Sequence, residues 1–259
     1  MMFFGLCGNP VAHSISPTIF KAAYQNSYDY RLFCLSQPQE VLRLFEDPGL
    51  MGLNLTAPLK STVLALLPQK SPECEQSGAA NLILREGVGL KAYNTDIDGV
   101  KNSLKEAGIA LPGLKVLLLG TGGAAKAAAY ALYKAGARVI WANRHPEHIP
   151  ERFCGHKTEI LPLTQAAKMT ADCPLIINTL PLPCPETAAL SISSQHTVFD
   201  ASYASRPLEF SAQQAGARYI GGERWWLHQA LPGFALFTGE KPSQTNMEQI
   251  LQIELHRPK

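Results

Sequence analysis

The sequence predicts an α/β protein of two domains. Three observations carry that expectation. Strand-like and helix-like segments alternate along most of the chain. One stretch, Leu114 to Asn143, reads as strand, glycine turn, helix, strand. The length, 259 residues, suffices for two modest domains.

Composition narrows the function classes. Hydrophobic residues make up 46% and charged residues 17%, as in ordinary globular proteins. A net charge of +2 gives no reason to expect a nucleic acid partner. Cys7, Cys34, Cys74, Cys154, Cys173 and Cys184 are scattered without a C-x-x-C pair, which fits reduced thiols and a cytoplasmic location better than disulfides or zinc. No metal site is expected. The opening MMFFGLCGNP lacks a basic leader and reads as a first strand, and no apolar run is long enough to span a membrane.

The first half alternates. Phe3 to Cys7 is a strand broken by Gly8-Asn9-Pro10. Ser16 is expected to cap a helix over Thr18 to Gln25, with Pro17 in its first turn. Tyr30 to Leu35 is a second strand, Pro38 to Glu46 a helix, and Met51 to Leu55 a short strand. Ala79 to Leu84 and Val88 to Tyr93 form a hairpin around Glu86-Gly87. A helix over Val100 to Ala107 follows, and Pro112-Gly113 marks the next boundary.

The chemistry is most legible in the central unit. Val116 to Leu119 is apolar throughout, as in a strand buried on both faces. Gly120 allows a tight bend, and Gly122 and Gly123 let backbone N–H groups approach a pyrophosphate at the start of an Ala-rich helix, Ala124 to Ala135. Gly136 ends that helix, and Arg138 to Ala142 is the second strand. The unit is a Rossmann-type dinucleotide site. An acidic residue at the end of the second strand would bind the ribose of NAD; this chain has Asn143-Arg144-His145, which suits a 2′-phosphate and so NADP, with Glu147 the nearest carboxylate. Lys126 on the helix reads as a solvated lysine.

Beyond Asn143 the pattern thins. His145 to Glu151 is a polar loop or short helix; Leu175 to Asn178 and Thr197 to Asp200 are buried strands. Pro207 to Gly216 is a helix and Arg218 to Ile220 a short strand. The chain is helical from Glu223 to Thr238, with Trp225-Trp226 packing the domain junction, and Ser243 caps a terminal helix.

Ser14, Ser16, Asn54, Thr56, Lys60, Asn81 and Asp96 each lie at a strand end or in the loop after it. In an open α/β sheet that edge lines the ligand crevice, and so many polar groups there point to a small, hydroxyl-rich ligand. The stretches GNPVAHSISP (Gly8 to Pro17), NLTAPLK (Asn54 to Lys60), GAAN (Gly78 to Asn81), NTDIDG (Asn94 to Gly99), GTGGAA (Gly120 to Ala125), Asn143-Arg144 and QALPGFALFTG (Gln229 to Gly239) occur in one order. In these the chain resembles the shikimate dehydrogenases, over nearly its whole length.

The resemblance implies reversible, NADPH-dependent reduction of 3-dehydroshikimate to shikimate in aromatic amino-acid and chorismate biosynthesis. It implies that Ser14, Ser16 and Tyr203 bind the substrate carboxylate. Thr56, Asn81, Asp96 and Gln229 would bind ring hydroxyls, and Lys60 and Asp96 would form the acid–base pair. Gly120, Gly122, Gly123, Ala124, Asn143, Arg144, His145, Asn178 and Thr179 would hold the cofactor. The implied fold is an N-terminal α/β substrate domain with a mixed sheet, residues 1–99 and 223–259, plus a Rossmann-type NADP-binding domain, 100–222, with the C-terminal helices returning to the first domain. The expected state is a monomer or homodimer.

Four stretches depart from the family pattern. Phe20-Lys21 stands where His-Asn is common, His145 where threonine is common, and Phe237 where tryptophan is common. Asn178-Thr179-Leu180-Pro181-Leu182-Pro183-Cys184-Pro185 stands where an Asn-Ala-Thr turn and Gly-Met usually lie near the nicotinamide. Three prolines stiffen that loop. The alternatives are a quinate/shikimate dehydrogenase with relaxed cofactor use, a related cyclitol dehydrogenase, and a non-catalytic ligand sensor.

Overall fold

The computed structural model describes residues 2–256. They form two compact units, one up to Thr95 and again from Gln229 onward, the other Asp96–His228.

In the first unit the strands are β1 (Phe3–Gly8), β2 (Asp29–Cys34), β3 (Leu50–Leu55), β4 (Gln69–Lys70), β5 (Leu82–Glu86) and β6 (Gly89–Tyr93). They form one sheet in the order β2-β1-β3-β5-β6-β4. β1 is parallel to β2 and β3, while β5 is antiparallel to β3 and β6, so the sheet is mixed. The helices are α1 (Ser16–Ala23), α2 (Pro38–Leu44), α3 (Leu59–Thr62) and α4 (Pro72–Ser77). One core packs Val41, Leu50, Leu53, Leu59, Val63 and Ile83. On Phe4 and Gly52 gathers an aromatic group in which Phe20 contacts Phe4, Tyr30 and Phe234, and Phe237 stacks on Phe4 at 4.9 Å. A Cβ at Gly52 would lie 2.5 Å from the Phe237 ring, so the glycine makes room for it.

Two local expectations are corrected here. Ser16 does not cap α1: it is the first helical residue, and its own N–H is accepted by Ser14 Oγ at 3.2 Å. The helix also stops before Gln25, because Gln25 and Asn26 adopt left-handed backbone with φ of 53° and 65°.

The second unit holds α5 (Asp96–Glu106), β7 (Lys115–Leu119), α6 (Gly123–Lys134), β8 (Arg138–Asn143), a small hairpin of β9 (Arg152–Phe153) and β10 (His156–Lys157), β11 (Glu159–Pro162), α7 (Ala166–Met169), β12 (Leu175–Asn178), α8 (Pro185–Ala188), β13 (Thr197–Asp200), α9 (Glu209–Gln214) and β14 (Arg218–Ile220). Its sheet is β11-β8-β7-β12-β13-β14, parallel throughout. The alternation of strand side chains divides two cores. Val116, Leu118, Trp141, Ile177 and Phe199 face α5 and α6; Leu117, Leu119, Ile140, Ile176 and Val198 face Ala166, Leu190, Leu208 and Ala212. Burial on both faces explains why these strands are continuously apolar. Strand order reverses between β7 and β12, which makes their C-terminal ends the place for a ligand.

α10 (Gly222–Thr238) runs from the second unit into the first, and α11 (Gln244–Leu255) packs against α1. Ser243 caps α11 by accepting from Asn246 N, and Asn246 Nδ2 donates to Ala22 O. The C-terminal helices thus belong with the N-terminal sheet.

Candidate active site

In the first unit, backbone hydrogen bonds draw several loops to one end of the sheet. Thr56 N donates to Cys7 O, Asn9 N to Ala57 O, Leu55 N to Asn81 O, and Ala80 N to Lys60 O. The segments after β1 and β3 and the one before β5 are therefore held together, although they are remote in sequence. A Cβ at Gly8 would lie 2.3 Å from the Thr56 side chain, so the approach of the first two loops requires glycine there. Ser14 and Ser16 are brought together, with their hydroxyls 3.0 Å apart.

Asn81 is the organising side chain of this end. It is 2% exposed, donates from Nδ2 to Thr95 Oγ1 at 2.9 Å and to Gln229 Oε1 at 3.0 Å, and accepts from Thr95 N at 2.7 Å. A buried amide without such partners would be costly. Asn54 stands beside it, donating to Asn81 O and accepting from Tyr30 Oη at 2.8 Å. Thr95 and Tyr30 are the members of this network that sequence reading missed; Thr95 lay inside a quoted motif but without an assigned part.

In the second unit Asp96 opens α5, buried, and accepts from Trp225 Nε1 at 3.1 Å. Gly99 leaves space for that indole, since a Cβ there would meet it at 2.6 Å. Trp225 also packs on Phe199. Tyr203 lies in a turn after β13, where its carbonyl accepts from Arg206 Nε at 3.3 Å.

The glycine turn follows β7. Gly120 has φ of +107° and packs directly on Thr179, whose Oγ1 donates to Leu119 O at 2.6 Å. Gly122 is different. It precedes α6 with φ −68° and ψ −178°, ordinary values for any residue, and a Cβ there would meet nothing within 4 Å. No side chain caps α6 at this position. The first N–H groups of α6, its positive dipole end and the open space at Gly122 fit a pyrophosphate. Gly123 and Ala124 begin the helix itself. Lys126 is half-buried rather than solvated, and burial lowers its pKa.

At the end of β8, Asn143 is buried and its Nδ2 donates to His145 O at 3.1 Å, fixing the turn. Both side chains beyond it lie against carboxylates. Arg144 Nη2 is 3.7 Å from Glu186 Oε2, and His145 Nδ1 is 3.1 Å from Glu147 Oε1. The Glu186 carboxyl is held below its ordinary value by its own backbone N–H first, then by the Cys184 side chain and the Arg144 charge. Sequence reading missed this partner of Arg144.

At the end of β12, Asn178 is 1% exposed. It donates to Asp200 Oδ1 at 2.8 Å and accepts from Leu180 N at 3.1 Å, and so shapes the entry to the proline-rich segment. Asp200 also accepts from Leu208 N and Tyr219 Oη; burial raises its pKa despite these donors. Among the described residues no His/Cys/Asp/Glu group has a geometry that would hold a metal ion, and no helix is long and apolar enough to cross a membrane.

Comparison with known proteins gives consistent results. Residues 6–83 match the family model described as the shikimate dehydrogenase substrate binding domain. The chain is 35% identical over 274 residues to the shikimate dehydrogenase (NADP(+)) of Geobacter sulfurreducens, covering 97% of this chain and 96% of that one. It is 33% identical to the protein of the same name from Carboxydothermus hydrogenoformans, at 96% coverage of both. Among solved structures it resembles shikimate 5-dehydrogenase from Thermus thermophilus in complex with NADP(H) and shikimate, with a TM-score of 0.81 and 29% identity over 98% of this chain and 100% of that one.

Proposed function

The chain belongs to the shikimate dehydrogenase family, and from that premise we propose that it reversibly reduces 3-dehydroshikimate to shikimate with NADPH. The observation that carries the nucleotide half of this reading is Gly122. Neither its backbone angles nor its packing calls for glycine, whereas close approach of a phosphate does. The relatives' names support NADP, and so does Arg144, whose guanidinium at the end of β8 is of the type that binds a ribose 2′-phosphate.

Gly120, Gly122, Gly123, Ala124, Asn143, Arg144, His145, Asn178 and Thr179 would hold the dihydronicotinamide nucleotide, which would supply the hydride for the ketone. The rest falls to the chain's own residues. Ser14, Ser16 and Tyr203 bind the carboxylate through their hydroxyls. Thr56, Asn81, Asp96 and Gln229 bind the ring hydroxyls; Asn81 and Gln229 are already locked against each other, so their orientation is set in advance. Negative charge grows on the ketone oxygen as reduction proceeds. The Lys60 ammonium stabilises that charge and donates the proton from Nζ, and Asp96 orients it. In the oxidative direction Lys60 accepts the hydroxyl proton. With functional domains drawn at residues 1–99 and 223–259 against 100–222, Asp96 counts among the substrate residues at the first turn of α5.

The second reading, a quinate/shikimate dehydrogenase with relaxed cofactor use, has one observation in its favour: the Arg144 and His145 side chains after β8 both lie against carboxylates. Initial rates of oxidation of shikimate and of quinate, each with NADP⁺ and NAD⁺, separate the two. Turnover with shikimate and NADP⁺ well above the other three pairs is expected; comparable rates with quinate or NAD⁺ favour the second reading. Lys60→Met should lower turnover by at least about 10²-fold while NADP⁺ still binds. Near-normal turnover of that variant refutes the role of Lys60.

A further inference from the structure

The proline-rich segment after β12 is where the sequence departs most from the family pattern, and the proposed reaction uses little of it. Its geometry shows a definite product. Ser205 Oγ donates to Pro181 O at 2.6 Å. Pro185 occupies the first turn of α8, and Cys184 N donates to Thr187 Oγ1 at 3.1 Å. These contacts fix the first turn of α8, and Glu186 lies on it.

Glu186 meets Arg144 at 3.7 Å, too long for a hydrogen bond and within ion-pair range. The two partners differ in surroundings. The Arg144 side chain is 56% exposed, that of Glu186 22%. Glu186 Oε2 itself is buried and accepts no hydrogen bond. The carboxyl as a whole is stabilised first by its own backbone N–H and the Cys184 side chain, and the Arg144 charge adds to them. The neighbouring pair is unlike it: His145 and Glu147 are 65% and 64% exposed, so solvent screens them.

We infer that Glu186 is a specificity-determining residue that competes with a ribose 2′-phosphate for Arg144 and so narrows the preference for NADP(H) over NAD(H). The inference rests on the NADP reading above. A 2′-phosphate on Arg144 has two routes, and each carries a cost. It displaces Glu186, leaving an enclosed carboxylate oxygen without its cation, or it shares the guanidinium and brings like charges together. A nucleotide with a free 2′-hydroxyl meets neither cost. Discrimination is a difference of affinities, so a carboxylate that penalises one ligand only reduces it. The prolines hold the segment from which Glu186 projects, and this gives the departure from the family pattern a consequence.

The test is isothermal titration of the full chain with adenosine 2′,5′-bisphosphate and with adenosine 5′-monophosphate. Glu186→Gln should bind the bisphosphate about three- to tenfold tighter, the range for removing one partly screened charge, with the monophosphate changed less than about twofold. Glu186→Ala should behave alike, and the gain should shrink as salt is raised. Glu147→Gln should change either ligand less than about twofold. Weaker bisphosphate binding in both Glu186 variants would mean that Glu186 orients Arg144 and overturns the inference. An equal change for both nucleotides would mean a general effect on the segment and overturns it too. Arg144→Ala tells this failure from failure of the NADP reading. If the unaltered chain favours the bisphosphate and Arg144→Ala abolishes that preference, the reading holds and only the role of Glu186 is at stake. If the unaltered chain shows no preference, the reading itself fails.

Discussion

Two glycines two residues apart should respond to the same substitution in opposite ways. Gly120→Ala forces a side chain onto a residue at φ +107° and puts Cβ 2.3 Å from Thr179 Oγ1. The backbone strain costs about 1–3 kcal/mol. Moving Thr179 aside also weakens its hydrogen bond to Leu119 O, worth about 1 kcal/mol. Together these predict a loss of about 2–4 kcal/mol and a Tm lower by about 5–15 °C. Gly122→Ala meets neither obstacle, since its angles suit alanine and its Cβ enters open space. Its stability should hold or rise by about 0.4–1 kcal/mol through the reduced freedom of the unfolded chain. Its affinity for NADP⁺ should fall by about tenfold or more, because the new methyl stands where phosphate approaches. Thermal melts followed by circular dichroism and titration calorimetry with NADP⁺ read both quantities. A Gly122→Ala chain that binds NADP⁺ as the parent does refutes the assignment of that space to phosphate. A Gly120→Ala chain that melts with the parent refutes the strain argument.

Two further predictions concern titratable groups. Burial alone would raise the Glu106 carboxyl, but hydrogen bonds and charge from Arg224 and His228 outweigh it and hold the group below 4.5. A depressed carboxyl contributes stability that is present above its unfolded value and lost as pH falls through the folded one. Melts at pH 7 and pH 3 should therefore show Glu106→Gln less stable than the parent at pH 7, with a smaller deficit at pH 3; an equal deficit at both would refute the linkage. Burial pushes the Cys7 and Cys74 thiols up to about 12, whereas the Cys34 side chain is exposed. Iodoacetamide at pH 8, read by mass spectrometry, should label Cys34 in the native chain and reach Cys7 and Cys74 only after unfolding. Native labelling of Cys7 at the rate of Cys34 would contradict the packing around β1.

The sequence was most readable where structure is local. The run Val116–Leu119, the glycines after it and the helix of α6 lie within one stretch, and their order alone specifies a strand, a turn and a helix start. β11 was not readable, although it completes the parallel sheet. It is a four-residue edge strand with partly exposed side chains and a proline, so neither alternation nor a continuous apolar run marks it. The cap of α1 failed for a related reason. Ser14 and Ser16 both qualify as caps by residue type, and only the loop conformation decides that Ser14 takes the Ser16 N–H.

The candidate site divides in the same way. By itself the sequence determined which chemistries are available: hydroxyls, amides, one lysine and one aspartate at strand ends, a glycine turn, and Arg144 after the second strand of the unit. Residue type and local order are enough for that. The tertiary structure decided which of them act as a set. Asn81 and Gln229, 148 positions apart, share a hydrogen bond because the last helices return to the first sheet. Trp225 reaches Asp96 because Gly99 leaves a gap that holds the indole. Glu186 reaches Arg144 because β12 lies beyond β7 from β8 in the sheet, and the chain after β12 carries the carboxylate to the end of β8. Each pairing depends on strand order and on which small residue makes room, and those are settled only when distant segments pack.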